Sequence, residues 1–536
     1  MIAMTTFRTV TAALLVLAAL SPVPRVSADP VQTQRVDCAK GQSINQALDR
    51  DDERKPLLVV IRGTCTENVV VGRDDVTLQG EPGAAIVAAD PSQPTLTLDG
   101  ARRVLVTGLT LGGGSDGVFA VRGSTVDVAA CALQNNSRFG LVVSFGGTAV
   151  VDNCLIQTNG GGGAVATNGA QLVVTNSTVQ NNTGNGLTAA RNAHLRVGQD
   201  AAGSMTPWPV TVQGNTQSGI VVTDASAGIV VATTVENNGG SGVVSQASSS
   251  VTVGAGTLGL VAPVTVRGNG NHGVSIYQGS RGLVQGSLVE NNARDGVRIE
   301  GSAGTVIGSQ VRGNGRYGVA SLNSGSARLG ITDAGTGTPT SGNTIENNTL
   351  EGVHLVGASS AWMFGNTIQG NSTTNGRFGI LAVEGSAVRF VGRNTVQANG
   401  SIVGPTVGGG IFLRASGLYV MKGDFDITPN FNIIQNNTGD GIQAIENSTV
   451  ELRDGVTVSG HTNNGVLLLH GSRMRAQGTT ITGNNPSATV GLADIRLALG
   501  GTARFGPAAF TLGTVVCADT ESSVAGIVPP AGCTGF

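Results

Sequence analysis

The feature that most constrains this chain is a repeat. The segments "QNNSRFGLVV", "ENNGGSGVVS", "RGNGNHGVSI", "ENNARDGVRI", "RGNGRYGVAS" and "ENNTLEGVHL" share one skeleton, Asn-x-x-x-Gly followed by an apolar residue. The asparagines fall at 136, 159, 182, 215, 238, 269, 292, 314, 348 and 437, and glycine follows each of them four residues later. Glycines 117, 140, 163 and 186 are 23 residues apart; later intervals alternate between about that length and 31 to 34. A fixed period with insertions confined to one part of the unit marks a stacked architecture. Within a unit, "GSTVDVAACALQNN" and "GAQLVVTNSTVQNN" are short β-branched runs separated by Gly, Ser and Asn, which read as strands joined by turns. Three such strands per unit describe one coil of a parallel β-helix, an all-β solenoid whose inward Val, Ile and Leu stack from coil to coil. The repeated Asn is expected to hydrogen-bond between coils. The repeated Gly is expected to supply a backbone conformation closed to other residues.

The series of repeat glycines runs from 117 to 491 and numbers fifteen, so at least fifteen coils are expected. At the roughly 4.8 Å spacing of neighbouring strands they form a rod about 70 Å long. Open sheet edges at its ends need covers. Residues 29–100 are read as an N-terminal cap, with the helical "SINQALDR", and the first coils; 101–500 as the repeats; and 501–536 as a C-terminal cap. Residues 1–28 have Arg8, an apolar core from Val10 to Leu20 and a Val26-Ser27-Ala28 cleavage site, which is the pattern of a secretory signal peptide. A secreted, periplasmic or cell-surface location is therefore expected, with no membrane span, because no later apolar run is long enough.

An oxidising location makes the six cysteines candidates for disulfides. Local pairing is expected: Cys38 with Cys65, Cys517 with Cys533, and Cys131 with Cys154. The last two occupy equivalent positions in adjacent coils, where a ladder of free thiols in the core is an equal alternative.

Composition closes off other classes. With 82 Gly, 40% hydrophobic residues and a net charge of −2, the chain fits neither disorder nor collagen. The charge gives no general attraction to nucleic acid or anionic lipid, and no Lys/Arg run marks a basic patch. A polysaccharide or cell-surface polymer is the expected partner, nucleic acid is not, and a monomer is expected. No metal-ligand spacing is visible and no cofactor is expected, although Asp424 and Asp426 in "GDFDITPN" could hold calcium. His194 and His470 are isolated, and His461 stands where other coils carry the repeat Asn.

The segment "SINQAL…VVIRGTCTENVVVGRDDVTLQGE" and the "NNxxxGVxV" repeat resemble the right-handed parallel β-helix proteins of the pectin lyase-like superfamily, from about residue 40 to the end. The resemblance implies a single-stranded right-handed parallel β-helix; it does not imply one activity, because that superfamily holds lyases, hydrolases, esterases, epimerases and non-catalytic surface proteins. "NHGVSI" and "VRIEG" are similar to the Gly-His-Gly and Arg-Ile-Lys elements of polygalacturonase-like hydrolases, which places His272 on the histidine and Arg298 on the arginine. Glu300 stands on the lysine, and no Asp-Asp pair precedes His272.

Stacked coils align equivalent positions in columns, so a site should appear as consecutive reactive residues in one column. The position before the repeat Gly reads His272, Asp295, Tyr317 and Glu351 in four successive coils. Two residues after that Gly come Ser275, Arg298, Ala320 and His354; two before it come Arg294 and Arg316; Tyr277 is nearby. His272, Asp295, Tyr317 and Arg298 are the candidate catalytic residues, and Ser275, Tyr277, Arg294, Arg316, Glu351 and His354 the candidate substrate-binding residues. Two functions follow. The missing hydrolase carboxylates and the regular repeats favour a non-catalytic exported scaffold that meets a polysaccharide or surface polymer. The polar column favours the alternative, a polysaccharide lyase or related carbohydrate-active enzyme on uronate chains.

Overall fold

The computed structural model describes residues 31–49, 55–331, 341–403, 406–421, 431–506 and 510–535. The segment read as a signal peptide, residues 1–28, and the pair Asp424 and Asp426 lie outside the described residues. Every coil runs through three short strands, as in Thr125–Ala129, Ala132–Gln134 and Phe139–Val143. Each strand pairs in parallel with its counterpart one coil on: Val126 with Ala149, Leu133 with Ile156, Leu141 with Ala164. Three parallel sheets result, here called sheets 1, 2 and 3 in that order. Among the described residues, sheets 2 and 3 hold 18 strands each, so the rod has three coils more than the glycine series alone gives. At about 4.8 Å per rung it is about 80 Å long.

Inward residues such as Val128, Leu133, Leu141, Val151, Ile156 and Ala164 are fully or almost fully buried in one continuous apolar core. A short helix, Ile44–Asp49, covers the first coil by burying Ile44, Ala47 and Leu48. Its start is held by the Glu67 carboxylate, which accepts hydrogen bonds from the Ile44 amide at 2.7 Å and the Ser43 hydroxyl at 2.8 Å. Disulfides join Cys38 to Cys65 at this end and Cys517 to Cys533 at the other.

The repeat asparagines form a ladder inside the corner between sheets 2 and 3. Asn136 Nδ2 donates to Asn159 Oδ1 at 2.9 Å, Asn159 to Asn182 at 2.9 Å, and so on through Asn292 to Asn314 at 3.0 Å and Asn399 to Asn437 at 3.1 Å. Each Oδ1 also accepts the backbone amide of the Asn before it, as with Asn136 N and Asn159 at 3.1 Å. One amide side chain per coil thus satisfies the buried donors of a right-angle turn that has no strand partner. The residue just before each ladder Asn has positive φ: Asn135 (58°), Asn237 (53°), Gly268 (62°), Gly313 (61°). That is why the repeat reads "NN" or "GN", since Asn and Gly tolerate the left-handed region best.

The repeat glycine does a different job from the one expected. Gly140, Gly273 and Gly296 do not have positive φ; they are required for space. A Cβ on Gly273 would lie 2.4 Å from Val289 Cγ1, 2.6 Å from the Gly296 carbonyl oxygen and 2.8 Å from Asn292 Nδ2. The Asn and the Gly are one motif because the ladder amide of the next coil fills the place of a side chain at Gly. The last member of the series is corrected too: register pairs Val466 with Ile495, so Asp494, not Gly491, follows Gly465 in the column. Asp494 can replace Gly because the ladder stops there, its Oδ1 accepting Asn484 Nδ2 at 2.8 Å.

Cys131 and Cys154 are buried free thiols, which removes the third disulfide and leaves the thiol ladder. They sit at the corner between sheets 1 and 2, where the next coil has Ser177. Cys154 Sγ accepts the Cys131 amide at 3.3 Å, and Ser177 Oγ accepts the Cys154 amide at 3.0 Å. Cys154 Sγ thus does the work of the Ser177 hydroxyl one coil on, and a disulfide would disturb that acceptor of the Cys131 amide. The hydrogen bond with Cys131 and burial push the Cys154 thiol up, which keeps it protonated. Thiol titration is expected to find none reactive in the native protein and two per chain after unfolding without reductant. Cys154→Ser, which copies the next rung, is expected to change stability by less than about 1 kcal/mol.

Candidate functional site

The column reading places most of the predicted residues on the outward face of sheet 3. Register sets Ser275, Arg298, Ala320 and His354 side by side in successive coils, and their strand neighbours Val274, Ile276, Val297, Ile299, Val353 and Leu355 are wholly buried. Outward and inward positions alternate with the strand pleat. The residues before the repeat Gly sit at the edge of the same face, next to the Asn turn.

Asp295 is the centre. Its Oδ2 lies 3.1 Å from His272 Nδ1 and 3.4 Å from Arg298 Nη1, and its Oδ1 is 3.7 Å from Arg316 Nε. Burial opposes its charge, but the His272 hydrogen bond and the charges of His272, Arg316 and Arg298 outweigh it and hold the carboxyl below the usual carboxylate range. The Asp295 amide donates to His272 Nδ1 at 3.3 Å. Arg298 reaches on to Glu300 Oε2 at 2.7 Å, and that hydrogen bond lowers the Glu300 carboxyl.

A second knot lies one coil further. The Tyr317 and His354 rings stack at 3.9 Å and 13°, and the Arg316 guanidinium carbon is 4.7 Å from the Tyr317 ring centre. Glu351 Oε1 accepts from Arg377 Nη1 at 3.3 Å. His354 Nδ1 and Glu351 Oε2 face each other at 3.3 Å, out of line for a hydrogen bond. Two buried carboxylate oxygens, Asp295 Oδ1 and Glu351 Oε2, accordingly have no hydrogen bond. The cluster ends at the apolar pair Phe378 and Phe412, 4.9 Å apart.

The structure thus gathers His272, Asp295, Arg298, Arg316, Tyr317, Glu351 and His354, with Ser275 buried beside Arg298. Arg294 stands exposed in the column of Arg316, whose amide its carbonyl accepts at 3.1 Å, and has no acidic partner among the described residues. Tyr277 is not part of the cluster: its hydroxyl donates to Gln246 in the preceding coil. Arg377 was not singled out from sequence, yet it stands two residues before Gly379, the same column position as Arg294 and Arg316, and that offset is the signal. Among the described residues no three of His, Cys, Asp and Glu gather as a metal-ligand set, and no helix is long and apolar enough to cross a membrane.

The family model described as "Right handed beta helix region" matches residues 87–200, 256–330 and 323–485, more than half of the chain. Among solved structures, the periplasmic alginate epimerase AlgG is similar at 12% identity and a TM-score of 0.33, over 73% of this chain and 84% of that one. The Azotobacter vinelandii mannuronan C-5 epimerase AlgE4 A-module is similar at 14% identity and 0.30, over 78% and 95%. The PL6 family alginate lyase AlyGC is similar at 10% and 0.22, over 95% and 100%. No curated protein matches the sequence.

Proposed function

The chain belongs to the right-handed β-helix family, and we propose that it is an exported, non-catalytic protein that binds an acidic polysaccharide on the outward face of sheet 3. The observation that carries this reading is a layering of charge. The carboxylates of Asp295 and Glu351 are wholly buried, whereas the side chains of their partners Arg298, Arg316 and Arg377 remain 21%, 37% and 48% exposed. Acid lies beneath and base above, so the face shows guanidinium edges to solvent although the whole chain carries a net charge of −2. The buried carboxylates hold those edges in place before a ligand arrives, which reduces the ordering cost of binding. Arg294 and Arg316 lie one rung apart, with Arg377 two rungs on, and can pair with successive uronate carboxylates by charge-assisted hydrogen bonds.

The test is titration with polygalacturonate and alginate against dextran. Arg294→Ala combined with Arg316→Ala is expected to weaken binding of the acidic polymers about tenfold at low salt. Arg294 has no acid to orphan, so its single variant reports binding without a folding defect. Equal binding of dextran, or unchanged affinity in the double variant, would overturn the reading.

One observation favours a second reading. His272 Nδ1 lies 3.1 Å from the buried Asp295 carboxylate, beside arginines that could neutralise a uronate, which puts an acid/base group and a cation where β-elimination needs them. Unsaturated-product absorbance that is lost in His272→Ala would replace the binding proposal by a lyase.

A further inference from the structure

Sheet 1 carries a second feature, unrelated to the sheet 3 cluster. Register sets Arg328, Trp362, Arg389, Tyr419, Glu451, Arg475 and Arg504 side by side in seven successive coils, one outward column along the axis. Their neighbours Ala361, Met363, Val388, Phe390, Leu418 and Val420 are wholly buried, which fixes the column as outward. Arg389 lies between the two aromatic residues, 4.9 Å from the Trp362 ring centre and 5.7 Å from that of Tyr419. Arg328 lies 5.2 Å from the ring of Phe364, which stacks on Trp362 at 6.4 Å.

The charges of this column are unanswered. The one acid of the column, Glu451, is taken by Arg453. Arg328, Arg389, Arg475 and Arg504 have no carboxylate within 4.0 Å among the described residues, and Trp362 is 42% exposed. Four cations and, among the described residues, no free acid along about 30 Å of this face are complementary to an extended polyanion. The two aromatic rings restrict the guanidinium of Arg389, so ordering it on a ligand costs little further entropy.

We propose that this column is a second polyanion-binding surface, and that its ligand is an acidic polysaccharide lying along the axis. Nucleic acid fits less well, since single-strand binders stack bases on free aromatic faces and Arg389 occupies a face of both rings. The surface stands independently of the reading given for sheet 3. With both, one molecule holds two chains of an acidic polymer and cross-links them.

Trp362 and Trp208 are the two tryptophans, so full-length Trp208→Phe protein makes Trp362 a direct reporter. A polygalacturonate oligomer is expected to change its emission saturably, with affinity falling as salt is added. Arg389→Ala combined with Arg475→Ala is expected to raise the Kd of that signal at least about tenfold. Arg294→Ala with Arg316→Ala is expected to leave it unmoved, so failure on one face is distinguishable from failure on the other. Silence of Trp362, the same response to dextran, an unaltered Kd in the Arg389 and Arg475 variant, or tighter binding of a DNA oligonucleotide than of the oligomer would each sink the proposal.

Discussion

Gly296→Ala is expected to lower the stability of the rod by about 3 kcal/mol, while Gly72→Ala leaves it unchanged or raises it by about 0.5 kcal/mol. The two glycines look alike in sequence, and neither needs positive φ. A Cβ at Gly72 meets nothing within 4 Å, whereas at Gly296 it meets Val311 Cγ1 at 2.4 Å and both Asn314 Nδ2 and the Gly318 carbonyl oxygen at 2.7 Å. Two of those three neighbours cannot retreat. The carbonyl is a rung of the parallel ladder, since Val297 N donates to Gly318 O at 2.9 Å. The amide is bonded on both sides, to Asn348 Oδ1 at 3.0 Å and the Val289 carbonyl at 3.3 Å. The methyl therefore forces adjacent coils apart, and in a solenoid each coil is stabilised only through its neighbours. Urea midpoints of the two variants check it; a Gly296→Ala protein as stable as the parent would refute the spatial account of the repeat.

That result would also test what was legible in the sequence. The Asn-x-x-x-Gly spacing revealed the coil and the Asn ladder because every coil repeats the same buried turn and the same unmet amides. The purpose of the Gly was misread, since the collision that requires it is with a residue of the next coil, about one period away in sequence. The site was legible in the same way. Offsets from the repeat Gly brought His272, Asp295, Tyr317 and Glu351 into one column, and register confirms that the columns are real neighbours. Tyr277 shows where the method stops: an offset gives the face on which a side chain starts, not the direction in which a long one leans. The arginine column of sheet 1 was invisible because its members are 24 to 34 residues apart, as between Glu451 and Arg475 or Arg328 and Trp362, so no linear basic run exists. Its charges are neighbours along the coil period, not along the chain.

The same ladder predicts a pH dependence at His461, the one imidazole that takes an asparagine's place in it. His461 Nδ1 accepts the Asn437 amide at 3.2 Å, and its Nε2, 3.0 Å from the Ile434 carbonyl, must donate there. Both partners demand the neutral Nε2–H tautomer. The residue is wholly buried, and burial lowers its pKa from 6.5 to about 4. Since the folded pKa lies below the unfolded one, the unfolded chain takes up the proton first as pH falls. The contribution of this site is complete above about pH 6.5, declines between 6.5 and 4, and is lost below, a change of about 3 kcal/mol. Other groups act with the opposite sign: burial raises the Asp440 carboxyl, so its protonation favours the fold. The measurement is therefore a difference, parent minus His461→Asn, in unfolding free energy from pH 7.5 to 4. Asparagine restores the side chain of the neighbouring rungs and carries no titrating group. The difference is expected to move in favour of the variant as pH falls, by about 3 kcal/mol across the window, and a flat difference would mean that His461 is already accommodated as a cation.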